Sequence, residues 1–206
     1  MAPIGAARAN LSRVPSFIPD DWVDTFEEKL YEDQDKTLSD YYSGDLSNFD
    51  RQQSTVYDGS YALECTSSDS EINTTEDRLS IGTTYEVAIR PDANGASHFK
   101  FFYEGSSSWY SIQFRYAGGG GSQEVNLTDT GSTLDSWNFG DNTYFGVWNR
   151  FEFTVESDDS ITVDMYDDSD TLVKTLTGTG AGYSTGGFAF DGYNGQTPFF
   201  DDLREV

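Results

Sequence analysis

One cysteine, Cys65, and one histidine, His98, are all that 206 residues offer of the softer metal ligands. An intrachain disulfide is excluded, as are a thiolate metal site and any zinc centre built on two histidines. Lysine is almost as scarce, with Lys29, Lys36, Lys100 and Lys174 the only four, and all basic residues number 12 against 36 acids. A formal charge of −24 argues against a nucleic-acid partner, because gripping phosphates takes a cationic surface. No apolar run approaches the roughly 18 residues of a membrane-crossing helix, so no membrane insertion is expected. The first residues lack the apolar stretch of a secretory signal, and the expectation is a chain without a signal peptide. Long windows of Ala, Leu, Lys and Glu are also missing, which disfavours helices.

What the chain has instead is glycine (20 residues) and aromatics, with 15 Phe, 13 Tyr and four Trp. That composition suits strands joined by turns. The plainest stretch is Trp148 to Leu176. Phe151, Phe153 and Val155 alternate with Arg150, Glu152, Thr154 and Glu156. A turn, Ser157-Asp158-Asp159-Ser160, follows, and Ile161, Val163 and Met165 resume against Thr162, Asp164 and Tyr166. A second acidic turn, Asp167-Asp168-Ser169-Asp170, leads to Leu172, Val173 and Leu176. A period of two in β-branched and aromatic residues, broken at such turns, predicts a three-strand meander with one apolar face. Such a meander needs a second layer to cover it.

The same alternation places Tyr85, Val87 and Ile89 inward with Glu86 and Arg90 outward. It places Phe99, Phe101 and Tyr103 inward with His98, Lys100 and Phe102 outward. Across a turn at Gly105–Ser108, Tyr110, Ile112, Phe114 and Tyr116 face in, while Trp109, Ser111, Gln113 and Arg115 face out. Cys65 reads as a small apolar residue in a strand. Asp20–Tyr31 fits either a helix or an opening strand. Asp129–Phe145, rich in aromatics, reads as a long loop of the kind that often carries function. Gly118–Gly121 is a flexible tip without the Lys-Ser/Thr ending of a phosphate loop. Three glycosylation patterns, at Asn10, Asn73 and Asn126, are no more than chance supplies in such a chain.

Two divisions are expected. Residues 1–19 hold Arg8 and Arg13 and no acid, whereas residues 20–206 hold ten basic and 36 acidic residues, a net −26. With Pro3, Pro15 and Pro19 the first segment reads as an extended arm that docks on other subunits, making the protein an oligomer or part of an assembly. The rest is one domain, large enough to bury roughly 70% of its unfolded surface. Acids spread through nearly every turn fit a protein of very high salt, where the Debye length falls to about 3 Å and self-repulsion is screened. An ordinary acidic protein is the alternative.

The order of motifs carries a resemblance. Phe26-Glu27, Tyr57-Asp58-Gly59-Ser60-Tyr61-Ala62-Leu63, Trp148-Asn149-Arg150-Phe151, Ile161-Thr162-Val163, Gly186-Gly187-Phe188-Ala189-Phe190 and Phe199-Phe200-Asp201-Asp202-Leu203 follow one another. In that order and spacing they resemble a concanavalin A-like lectin/glucanase jelly roll of the LamG-like kind, over roughly residues 24–206. The resemblance implies an all-β fold of two antiparallel sheets packed face to face. It also implies a concave sheet that binds glycans in many members, and a structural calcium ion in many. The first and last strands lie close in that fold, so Glu27, Asp201 and Asp202 become the calcium candidates, being hard oxygen donors. Strand parity puts Asp201 on the face of Phe199 and Leu203, where a carboxylate needs a cation or hydrogen-bond donors.

Some members are glycoside hydrolases with three closely spaced acids on one strand. Here the strand reads Glu152-Phe153-Thr154-Val155-Glu156, with threonine in place of the central aspartate. Residues four apart on a strand are about 13 Å apart, too far for either hydrolytic geometry. The chain is therefore read as a non-enzyme. Arg90, Lys100, Arg115 and Arg150 all fall on non-core positions beside His98, Trp109, Gln113, Glu86 and Glu152. An aromatic platform among planar hydrogen-bonding groups is what sugar recognition uses, and Arg90, Lys100, Trp109, Gln113, Arg115 and Glu152 are the candidate glycan-binding set. Cross-strand ion pairs on a solvated face are the alternative. The function expected first is a structural or adhesion protein of an external assembly, such as a turret, fibre or spike of a halophilic virus. Its lectin-like surface would face cell-surface glycan or glycoprotein. A free carbohydrate-binding module or lectin comes second, a glycoside hydrolase third.

Overall fold

The predicted meander is the scaffold of one sheet in the computed structural model, which describes residue 26 and residues 36–74, 78–92, 96–116, 123–193 and 197–206. Strands β11 (Asn149–Val155), β12 (Ser160–Tyr166) and β13 (Leu172–Thr179) pair antiparallel in sequence order. Both connecting turns close the same way. Asp159 and Asp170 take φ of 64° and 58°, and the Asp158 and Asp167 carboxylates accept amide hydrogens from the turn. Aspartate tolerates the left-handed region and caps turn amides, so these acids have a local structural role whatever the salt.

Upstream lie a one-turn helix α1 (Leu38–Tyr41) and strands β1 (Tyr42–Gly44), β2 (Phe49–Gln52), β3 (Ala62–Cys65), β4 (Ser70–Thr74), β5 (Leu79–Ser80) and β6 (Thr84–Arg90). Strands β7 (Ala96–Gly105), β8 (Ser108–Tyr116), β9 (Gln123–Asp129) and β10 (Ser132–Asn138) precede the meander. Strands β14 (Thr185–Tyr193) and β15 (Phe199–Glu205) close the fold. Among the described residues they form two sheets. Sheet A runs β1-β4-β14-β7-β8-β9-β10, with β5 also on β14, and sheet B runs β13-β12-β11-β6-β15-β3-β2. Every pairing is antiparallel, and the architecture is the expected two-layer jelly-roll sandwich.

The core is aromatic because phenylalanine occupies the inward position on both sheets. Phe101 of sheet A meets Phe153 of sheet B with ring centroids 4.7 Å apart, Phe190 meets Phe200 at 4.8 Å, and Phe114 meets Phe151 edge-on at 5.7 Å. Each such burial contributes about 1.5–3 kcal/mol. Cys65 lies in β3, fully buried, its Sγ donating to the Ser67 carbonyl. Burial pushes its thiol up to about 11.

Three expectations are corrected. A bulge in β7 interrupts the alternation at Phe102, which takes φ of 51° and turns into the core beside Phe101 and Tyr110. Tyr103 consequently faces outward and donates its hydroxyl to Glu71. Gly186 makes room for the bulge, since a Cβ there would stand 2.6 Å from the Phe102 backbone. Residues 129–145 are not one loop, because a tight turn at Thr130-Gly131 starts strand β10. Finally, a bulge at Asp202 (φ 50°) puts Leu203 in the core while Asp201 stays with Phe199 on the outer side of sheet B. At both bulges one unpaired residue reverses the faces beyond it. The expected arm 1–19 with Arg8 and Arg13, the ambiguous segment 20–31 apart from Phe26, and the Gly118–Gly121 tip lie outside the described residues.

Candidate functional site

Register on sheet A aligns one polar residue from each of six strands. Glu71 (β4) stands opposite Asp191 (β14), Asp191 opposite His98 (β7), His98 opposite Gln113 (β8), Gln113 opposite Asn126 (β9), and Asn126 opposite Ser136 (β10). Their strand neighbours Phe99, Ile112, Phe114, Val125, Leu127 and Phe190 fill the core, so the row lies on the outer face. A second row beside it joins Lys100, Ser111 and Thr128. Trp109 flanks Lys100, and Tyr193 stacks on the His98 ring at 5.2 Å while remaining 49% exposed.

The interactions within the rows are dense. The Lys100 ammonium donates to Glu71 and lies 2.9 Å from Asp191 Oδ2, with the Trp109 ring centroid 5.0 Å away. Burial would lower its affinity for the proton, yet Asp191 and Glu71 raise it above the ordinary lysine value. Burial would likewise raise the Asp191 carboxyl, but His98 and Lys100 hold it below the carboxylate range. The Tyr103 hydroxyl is pushed up to about 12, first by burial and then by the Glu71 carboxylate that accepts its proton. The His98 and Gln113 side chains are joined through Nε2 of each, and Ser111 and Thr128 share a 2.8 Å hydroxyl contact.

The rows are nevertheless incomplete. His98 Nδ1 stands 3.5 Å from Asp191 Oδ2, too poorly placed for a hydrogen bond, and Asn126 Oδ1 is buried without a donor. Buried polar groups are normally paired, so open ones on an outward face mark a surface whose hydrogen bonding is unfinished.

The outer face of sheet B is closed upon itself. Arg150 NH1 donates to Glu86 Oε2 at 3.1 Å and to Glu152, Nε and NH2 grip Asp170, and the guanidinium covers the Tyr166 ring at 3.9 Å. Glu86, 3% exposed, is also paired with Arg204 through Oε1 at 2.5 Å, an ion pair whose angles miss hydrogen-bond geometry. Arg90 donates to the Gly146 carbonyl and lies over Phe199.

The candidate glycan-binding set thus divides between opposite sides of the sandwich. Lys100, Trp109, Gln113 and Arg115 lie together on sheet A; Arg90 and Glu152 lie on sheet B. Alternation distinguishes inside from outside but not one outside from the other. Of the cations expected to form a positive patch, Arg115 is paired with Glu124 at 3.3 Å, Lys100 with two carboxylates and Arg150 with three, while Arg90 is spent on the Gly146 carbonyl. Sequence reasoning missed Glu71 and Asp191. Glu71 was legible from the short alternation of Ser70 and Ile72 with Glu71 and Asn73. Asp191 was legible by extending the alternation of Phe188 and Phe190 by one residue.

Of the calcium set, Glu27 lies outside the described residues. Asp201 Oδ2 accepts the amides of Tyr57 and Asp58 at 2.9 and 3.2 Å, and Oδ1 accepts that of Asp202. Asp202 is 3.3 Å from the Arg204 guanidinium. Those oxygens are already served by donors and do not fit a calcium ion. Among the described residues no three His, Cys, Asp or Glu side chains are grouped to hold a metal. The contact also explains why the Tyr57-Asp58-Gly59 and Asp201-Asp202 motifs occur together: one supplies amides, the other the carboxylate that binds them.

No protein-family model matches the chain, and no curated protein does. Solved structures do. The chain is similar to the carbohydrate binding module CBM66 from Bacillus subtilis, with a TM-score of 0.55 at 15% identity, covering 80% of this chain and 94% of that one. It is also similar to a putative glycosyl hydrolase from Parabacteroides distasonis, with a TM-score of 0.50 at 10% identity, covering 80% and 98%. At such identities the likeness establishes the sandwich fold.

Proposed function

We propose that this chain is a non-catalytic carbohydrate-binding sandwich whose ligand face is the outside of sheet A. The observation that carries the reading is the polar row Glu71–Asp191–His98–Gln113–Asn126, bordered by Trp109 and Tyr193, in which His98 Nδ1 and Asn126 Oδ1 have no hydrogen-bond partner. Sugars present hydroxyls at their edges and C–H groups on their ring faces, and planar polar groups beside aromatic rings meet both. Similarity to a carbohydrate binding module supports the reading; similarity to a putative hydrolase does not displace it, for a chemical reason. Hydrolysis needs one carboxylic acid and one carboxylate. The outward pair that stands at neighbouring positions, Glu86 and Glu152, is bridged by the Arg150 guanidinium, which commits an oxygen of each to an ion pair.

Replacing Trp109 by alanine should lower affinity for bound glycan at least tenfold, read by tryptophan fluorescence or calorimetry against envelope glycans of halophilic cells. Stability should change little, since Trp109 is on the outer face. Unchanged affinity would remove sheet A as the ligand face.

The setting of that face belongs to the same proposal. The acidic excess suits a protein on the outside of a cell or virus particle in concentrated salt, and the basic arm 1–19 suits attachment to acidic neighbouring subunits. Deletion of residues 1–19 should then abolish higher-order assembly in sedimentation while leaving glycan binding intact. Assembly without the arm would leave a free carbohydrate-binding module as the better description.

A further inference from the structure

The charges on sheet A say which glycans the face suits, and the inference rests on the reading of that face as the glycan site. We infer that it takes a neutral, hydroxyl-rich glycan and discriminates against uronic or sulfated ones. Among the described residues two cations are ion-paired on the face, Lys100 and Arg115, against three carboxylates, Glu71, Asp191 and Glu124. Lys100 is the central cation, and it is spent: it is 9% exposed, held by two carboxylates and covered on another side by Trp109. Arg115 lies at the rim, its side chain 56% exposed and paired with Glu124. An anionic sugar approaching the row would meet Asp191 and Glu71 before any free donor of positive charge.

Hydrogen-bond polarity points the same way. The partly exposed carboxylate of the row, Glu71 (side chain 27%), offers acceptor oxygens, and Asn126 Oδ1 receives no donor. Hydroxyls of a neutral sugar are donors and complete such a row, whereas carboxylate and sulfate oxygens only accept. A small cationic ligand would also suit carboxylates beside aromatic rings. Lys100 already occupies that position between Glu71, Asp191 and Trp109, so the face carries its own cation.

The test uses the full chain at the lowest salt in which near-ultraviolet circular dichroism shows it folded. It is titrated with neutral manno-, galacto- and fructo-oligosaccharides, then with oligogalacturonates and heparin fragments, and both series are repeated with Trp109→Ala and Asp191→Asn. Saturable binding of a neutral oligosaccharide, insensitive to added salt and weakened at least tenfold by either substitution, is the expected result. Binding confined to the polyanions, lost with Trp109→Ala and falling steeply with salt, would overturn the ligand class while keeping sheet A as the glycan face. Binding to neither series would overturn the glycan reading itself, and with it this inference. Should Asp191→Asn fail to fold, Gln113→Ala, which leaves the Lys100 ion pairs intact, makes the same comparison.

Discussion

On the outside of sheet B, Arg150 meets Glu86, Glu152, Asp170 and the ring of Tyr166; on the outside of sheet A, Lys100 meets Glu71, Asp191 and the ring of Trp109. Both are a cation among carboxylates on an aromatic face, yet they close to different degrees. A guanidinium offers five donors in a fixed fork and can serve three carboxylates at once, and Arg204 takes part of what Glu86 has left. An ammonium offers three, and the row around Lys100 continues through His98, Gln113 and Asn126 with His98 Nδ1 and Asn126 Oδ1 unpaired. The first face is therefore a structural network, and the second is the one we propose as the ligand face.

That contrast can be broken most directly at Arg150. Arg150→Met takes from Glu86, a carboxylate 3% exposed, one of its two cations, and is expected to destabilise the fold by about 3 kcal/mol in chemical denaturation. Glycan affinity of the remaining folded protein should not change. A loss under about 1 kcal/mol would mean that the sheet B network is a solvated set of ion pairs. Trp109→Ala is the reciprocal case, with a tenfold affinity loss, about 1.4 kcal/mol, and little effect on stability.

A smaller effect tests how sheet B handles its buried acids. Burial pushes Asp201 from its ordinary 3.8 up to about 7, against the pull of three amide donors, and Asp202 up to about 6. The native state then holds protons that the unfolded chain has released. The resulting stability is present near pH 4 and is lost as pH rises through about 7. Asp201→Asn has no proton to lose, so the wild-type advantage over this variant should be largest near pH 4 and shrink toward pH 8, measured by melting at constant salt. A gap that widened with pH would show the amides holding Asp201 ionised. The smallest effect is expected from chelation. Because amides and Arg204 serve the oxygens of Asp201 and Asp202, EDTA at constant ionic strength should leave the melting temperature unchanged, and a clear fall would place a cation among these acids.

Much of this was readable in the chain. The alternations in residues 84–90, 108–116 and 149–166 named the strands and their inward residues correctly, and Cys65 lies in a strand as expected. The candidate site was half legible. Trp109, Gln113, Lys100 and Arg115 were identified as outward residues and do share a face, but Arg90 and Glu152 were grouped with them across the thickness of the sandwich.

The sequence by itself determined the strands, the apolar side of each, the acidic turns and the exclusion of cysteine and histidine chemistry. All of these follow from local rules: a side-chain period of two, the turn preferences of aspartate, and plain composition. Tertiary structure decided which strands are neighbours, and so brought Glu71 and Asp191 to Lys100 from 29 and 91 residues away. It also decided the bulges at Phe102 and Asp202, where packing against Gly186 and the pairing of β15 overrode the local alternation. Pairing is a long-range choice, and a single unpaired residue reverses every face beyond it; neither leaves a mark within the few residues over which a sequence pattern repeats.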